Sequence, residues 1–186
     1  MPVITVTLIE GYDELTRKRL AKALTNAARG VIAAPAEGVT VITNEVPASN
    51  YMRAGRSRIP GCATVDPVDL VRRYLSLMEE RDLVGASGML HSQVELIFPG
   101  NQRFTKLQTL VDWSKSRYRF IKKTFERSDQ AMTEDGVTVI FQGTLSGEFP
   151  DGTTFADIRF IDWFLVEDGL IRQQRVWNDL DAVRPV

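Results

Sequence analysis

The chain has 186 residues, 44% of them hydrophobic, with 23 basic and 24 acidic side chains and a net charge of −1. Charges this evenly mixed argue against a nucleic-acid or membrane-surface partner, and no run approaches the roughly 18 apolar residues that span a bilayer. One cysteine and one histidine leave neither an internal disulfide nor a metal-ligand set, so no metal or other cofactor is expected; lacking a secretory pattern, the expected location is cytoplasmic.

Pro2 follows Met1 and opens the chain's first apolar run. Removal of Met1 leaves Pro2 as a free secondary amine. An α-amino group titrates near 7.7–8.0, and a pocket that excludes water lowers that value. Such an amine serves as general base and then general acid near neutral pH. The plainer alternative is a proline placed at the first residue of an edge strand. Residues 3–9, Val3-Ile4-Thr5-Val6-Thr7-Leu8-Ile9, read as a strand. Glu10-Gly11-Tyr12 makes a turn and Asp13 caps a helix. Leu20, Ala23, Leu24, Ala27, Ala28, Val31 and Ile32 form its apolar stripe. Gly38 precedes a second strand over 39–46. Strand, helix and strand in so short a span imply a right-handed unit with parallel strands. Two strands and one helix do not cover their own apolar surface, so this unit needs partners.

Pro2-Val3-Ile4, Ile9-Glu10-Gly11, Ala34-Pro35, Val39-Thr40-Val41-Ile42 and Glu45-Val46-Pro47 together resemble the 4-oxalocrotonate tautomerase family. Asn50-Tyr51-Met52-Arg53-Ala54-Gly55 is similar to that family's aromatic loop. The resemblance covers residues 2–56. It implies a catalytic Pro2 that shuttles a proton between carbon and oxygen of an enolisable carbonyl compound, beside an apolar wall from Tyr51. The family's two carboxylate-binding arginines are replaced here by Tyr12 and Thr40, and threonine supplies no bidentate charged clamp. The usual dicarboxylate substrate therefore does not fit. Arg53, or Arg56, takes an acidic group from the loop, or is a solvated surface arginine. Tyr12 donates to an enolate oxygen, or packs over the helix start.

Residues 59–65, rich in proline, glycine and small side chains, read as a linker between domains 1–58 and 66–186. Asp66-Pro67 is a second helix start, with proline at the first helical position. Val68, Val71, Tyr74, Leu75 and Met78 form that helix's stripe. A shorter helix is expected over 83–90, a strand over 94–98, and a helix capped by Thr105 that carries Leu107, Leu110, Val111 and Trp113. Strands follow at about 119–132, 137–149, 153–166 and 170–179, joined by Asp-Gly turns at Asp135-Gly136, Asp151-Gly152 and Asp168-Gly169.

The fold class is α+β: a βαβ unit, then an antiparallel sheet curved around helices. The order of elements and the stretch Asp168-Gly169-Leu170-Ile171 through Arg175-Val176-Trp177-Asn178-Asp179 resemble the SnoaL-like family, of the ketosteroid-isomerase and nuclear transport factor 2 fold. That resemblance covers about residues 66–182 and implies a conical pocket. Alternation puts Val139, Phe141, Leu145 and Phe149 on the concave side. In strand 153–166 it puts Phe155, Ile161, Trp163 and Leu165 on one face and Ile158, Phe160 and Phe164 on the other, a strand to be covered on both sides. Candidate pocket residues are His91, Trp113, Asp157, Arg159, Arg175, Trp177 and Asp179. Asp157 and Arg159 form either an acid–cation site or a structural ion pair. His91 is an acid–base group or a helix-terminus histidine. Trp113 and Phe98 read more simply as core. Phe98 stands near where ketosteroid-isomerase relatives place a general-base aspartate, which argues against that reaction.

Together the two resemblances imply a tautomerase or isomerase acting on a small keto or enol compound. The alternative is a SnoaL-like cyclase, isomerase or binding protein whose first domain serves mainly for assembly. They also imply a homo-oligomer, between dimer and hexamer.

Overall fold

In a computed structural model, which describes residues 1–183, the chain divides between Ala63 and Thr64 into two units. The division falls inside the stretch read as a linker.

In the first unit, β1 (Val3–Ile9) and β2 (Thr40–Val46) pair in parallel, with Val3 beside Thr40 and Ile9 beside Val46. Between them runs α1 (Glu14–Val31), started by Asp13, whose Oδ1 accepts from the Thr16 N–H at 2.7 Å. No residue of α1 is fully buried. On the sheet face away from the half-buried Ile4 and Val6, Val3 is 61% exposed and Ile42 is 44% exposed. The unit therefore carries apolar surface that it does not cover. The aromatic-containing loop is a short hairpin, β3 (Met52–Arg53) against β4 (Arg56–Ser57), turning through Ala54 and Gly55 at φ of 51° and 71°.

The second unit opens with α2 (Pro67–Glu80), capped by Asp66 accepting from Val68 N–H at 2.9 Å, and ends at Arg81 in the left-handed region. Helix α3 (Leu83–Ser87) is shorter than the spacing predicts, and β5 (Leu90–Phe98) starts four residues earlier. A three-residue strand, β6 (Gln102–Phe104), falls between the strand expected over 94–98 and the helix expected from Thr105, where no element was read. Helix α4 (Leu107–Ser114) follows Lys106 rather than Thr105, with no side-chain cap. The long strands are β7 (Phe120–Thr133), β8 (Gly136–Glu148), β9 (Thr154–Glu167) and β10 (Leu170–Asn178). They form one sheet in the order β6-β5-β10-β9-β8-β7, antiparallel except where β10 meets β5.

Helix α2 lays Val71, Tyr74, Leu75 and Leu77 on the inner face of that sheet, where Val139, Phe141, Leu145, Phe160 and Phe164 are also buried. Each such side chain contributes about 1.5–3 kcal/mol by leaving water. Gly143 and Gly147 let β7 approach β8 closely: a Cβ there would lie 2.0 Å from the Thr124 carbonyl oxygen or 2.2 Å from that of Phe120.

One face assignment changes. Leu145 pairs with Ile158 but Gly147 pairs with Phe155, so β9 holds an extra residue, and Asp157 adopts φ 57°. This bulge shifts the alternation by one. Phe155 consequently joins Ile158, Phe160 and Phe164 in the core, its ring 4.7 Å from that of Phe149. On the other face Ile161 and Trp177 are 45% and 54% exposed.

Candidate functional sites

Parallel pairing decides which first-unit candidates meet. Pro2 and Thr40 sit at the starting ends of the two strands, and Thr40 N–H donates to the Pro2 carbonyl at 3.1 Å. Tyr12, Tyr51 and Arg53 lie beyond the opposite ends, where they line an open cavity with Ile9, Arg58 and Pro60. Seven strand residues at about 3.3 Å each separate the two groups by roughly 20 Å. Pro2 and Tyr51 of one chain thus do not share a pocket. Tyr12 is half-buried, and its carbonyl accepts from Arg17 at 2.6 Å while Arg17 also pairs with Glu45 at 3.0 Å. Gly11, at φ 127°, lets this turn pass beneath Pro60, whose Cγ would be 3.2 Å from a Cβ.

A second cavity, of about 360 Å³, opens inside the second unit. Helix α2 supplies Tyr74, Leu75 and Met78; α4 supplies Leu110, Val111 and Trp113; the sheet supplies Lys123, Leu145, Phe160, Asp162, Gln174 and Val176. Phe98 stacks edge-to-face on Trp113 at 5.9 Å, so both contribute wall as well as core. Arg117 lies 4.8 Å over the Trp113 ring and pairs with Asp181 at 2.8 Å.

Asp162 is the chemically distinctive group. It is wholly buried, and its Oδ2 pairs with Lys123, whose ammonium also stands 4.8 Å from the centre of the Phe160 ring. Its Oδ1 is buried and has no hydrogen-bond partner among the described residues. Burial pushes this carboxyl above the usual aspartate range, and Lys123 only partly offsets the shift. Nearby, the buried Tyr74 hydroxyl donates to Gln174 Oε1 at 3.1 Å. Desolvation, reinforced by the Asp162 charge, raises the Tyr74 pKa well above that of a free phenol.

Of the second-unit candidates, Trp113 lines this cavity. The others lie outside it. Asp157 is exposed at the bulge, which turns it away from the parity expected of a regular strand. Arg159 is exposed and bonds Asp179 at 2.8 Å, an ion pair that satisfies itself on the outer face. Arg175 covers the Trp163 ring at 5.4 Å on that face, and Trp177 is exposed there. His91 sits in β5, accepting from the Gln93 N–H at 3.1 Å through Nδ1, rather than at a helix end.

Sequence reading missed Lys123 and Asp162, although a signal was present. Asp162 interrupts the apolar series Ile158, Phe160, Phe164, Val166, and Lys123 interrupts Ile121, Phe125, each at a two-residue period. A charge on an apolar face of a strand has to find a buried partner.

The family model described as "Tautomerase enzyme" matches residues 2–58, and the "SnoaL-like domain" model matches residues 71–174. A protein of Ralstonia nicotianae named as a probable tautomerase is 43% identical over 67 residues, which span 36% of this chain and 91% of that protein. Among solved structures, TerC co-crystallized with polyporic acid superposes with a TM-score of 0.53 at 16% identity, over 62% of this chain and 92% of that one. An NTF2-like protein of unknown function from Burkholderia pseudomallei gives 0.53 at 13% identity, over 62% and 92%. Another, from Burkholderia xenovorans, gives 0.51 at 17% identity, over 66% and 96%. At these identities the likeness is one of fold. No helix among the described residues is long and apolar enough to cross a membrane.

Proposed function

The chain belongs to the tautomerase enzyme family through residues 2–58 and to the SnoaL-like domain family through residues 71–174, and from this fused architecture we propose a keto–enol tautomerase in which the Pro2 nitrogen moves the proton. One observation carries the reading: the tautomerase match begins at Pro2, the residue that leads into the parallel strand pair. With Met1 removed, the secondary amine accepts the enol hydroxyl proton and, as its conjugate acid, returns a proton to carbon. General acid–base catalysis of this kind contributes roughly 10²–10⁴-fold.

Thr40 stands beside Pro2, whereas Tyr12, Tyr51 and Arg53 belong to the far end of the unit. A complete site therefore draws those groups from another copy, in a homo-oligomer of dimer to hexamer size working in the cytoplasm. With Tyr12 and Thr40 in place of two arginines, an aromatic enol bearing at most one carboxylate, bound by Arg53, suits the site better than a dicarboxylate.

The test is conversion of enol to keto form in a simple arylpyruvate, together with the intact mass of the purified chain. Native protein lacking Met1 is expected to be at least 100-fold faster than Pro2→Ala. Equal rates, or a native chain that retains Met1 and still turns over, would remove Pro2 from the mechanism. The cavity lined by Lys123 and Asp162 favours a second reading, in which the first unit serves assembly and the chemistry lies in the second. Its mark is turnover that survives Pro2→Ala.

A further inference from the structure

We infer that Ile59-Pro60-Gly61 is a fixed strap across the first unit's cavity that sets substrate size. It admits an enol acid built on a single aromatic ring and turns away one built on two fused rings. The inference deepens the tautomerase reading and rests on it, because that reading brings the substrate to the Tyr12 and Tyr51 end. Residues 59–61 lie beyond the residues 2–58 that match the tautomerase model.

Three observations carry it. The strap is part of the wall: Ile59, Pro60 and Gly61 line the cavity of about 360 Å³ together with Tyr12, Tyr51 and Arg53. It is anchored where it begins, since the Arg58 N–H donates to the Tyr51 carbonyl at 3.1 Å, one step beyond the last β3–β4 pair. It also fits closely over the turn it crosses. A Cβ on Gly11 would lie 3.2 Å from Pro60 Cγ, and a Cβ on Gly61 would lie 3.7 Å from the Tyr12 hydroxyl oxygen.

A strap held this close acts by size. The proline ring locks φ, so the segment has little freedom to swing aside. The volume stands near the lower end of the range of about 300–1,000 Å³ typical of small-molecule sites. Apolar area alone favours the larger ligand, because two fused rings remove more surface from water than one. Preference for the smaller ring is therefore the signature of the wall: carbons forced into a filled site cost more than their burial returns. Charge does not distinguish the two, because Arg53 meets the same carboxylate in each.

Calorimetric titration of the full chain with phenylacetate and with 2-naphthylacetate tests this. Each carries one carboxylate, and neither needs a proton transfer to bind. The native chain is expected to bind phenylacetate at least about tenfold more tightly. Pro60→Gly frees the strap and should bring that ratio to about threefold or less, or invert it. Gly61 lies outside the left-handed region, so Gly61→Leu is compatible with the backbone and fills the space beside Tyr12. It should weaken phenylacetate at least about tenfold. Circular dichroism identifies which variants fold. Equal binding, tighter binding of naphthylacetate, or no binding of either acid by the native chain would overturn the inference. So would a native ratio kept in folded Pro60→Gly, or an undiminished affinity in folded Gly61→Leu, which would seat the acids elsewhere. Any of these leaves the Pro2 rate comparison standing, whereas equal rates in native and Pro2→Ala chains with the size preference intact would strike the Pro2 chemistry alone.

Discussion

Tyr74 and Asp162 show how burial turns ordinary groups into pH-sensitive ones. Because the folded chain holds the Tyr74 phenol well above its free value, the unfolded chain releases that proton first as pH rises. Stability from this group is complete below about pH 10 and declines above it. Tyr118 is shifted in the same direction by desolvation. Tyr74→Phe should therefore flatten, rather than abolish, the fall in urea-unfolding free energy between pH 9 and 11. At pH 8 the same variant should cost about 1–2 kcal/mol, because Gln174 Oε1 loses its donor. An unchanged alkaline slope would show that the phenol already ionises in the folded state. Asp162 follows the same sign. Its raised carboxyl pKa means that the folded chain holds the proton longer, so its contribution is greatest at low pH and declines as pH rises through the folded value.

Strand curvature has its own residue code. Gly143 and Gly147 lie two turns of the pleat apart on β8, each against a carbonyl oxygen of β7. Gly143→Ala would drive its methyl into the Thr124 carbonyl, and the strands would have to separate. A loss of about 3 kcal/mol is expected, at the upper end for overpacking, read as a lower urea midpoint. A midpoint within error of native would mean that the sheet flattens without cost. Most elements are legible in the sequence: the Asp13 and Asp66 caps, the Asp-Gly turns and, apart from Phe155, the two-residue alternation of β8 and β9 stand as read. The misses share a cause. Strand β6 has three residues, too few for a period, and pairs only by contact with β5. The bulge at Asp157 has no glycine or proline to announce it, and a lone aspartate inside a strand does not by itself mark one, yet it moves Phe155 to the other face. Lys123 and Asp162 are far apart in sequence, so neither strand alone reveals that its charge is matched.

At the scale of the chain, the two units reach stability by different routes. The second buries a continuous core between α2 and its sheet. The first has a helix without a fully buried residue and leaves Val3 and Ile42 largely exposed. Association of several copies through that surface is the expected remedy. Light scattering should report a mass of two to six chains, and Ile42→Lys should lower it while leaving the far-ultraviolet spectrum of the second unit's strands intact. A native chain monodisperse at 20.9 kDa would refute this expectation. A monomer would also leave Pro2 without the Tyr51 end it is proposed to require.

The extra residue in β9 has an evolutionary consequence. Because it swings Phe155 inward against Phe149, a single-codon deletion there would turn that ring back toward water and undo the packing it completes. Drift in the length of this one strand is therefore held in check by a side chain that only the inserted residue brings indoors.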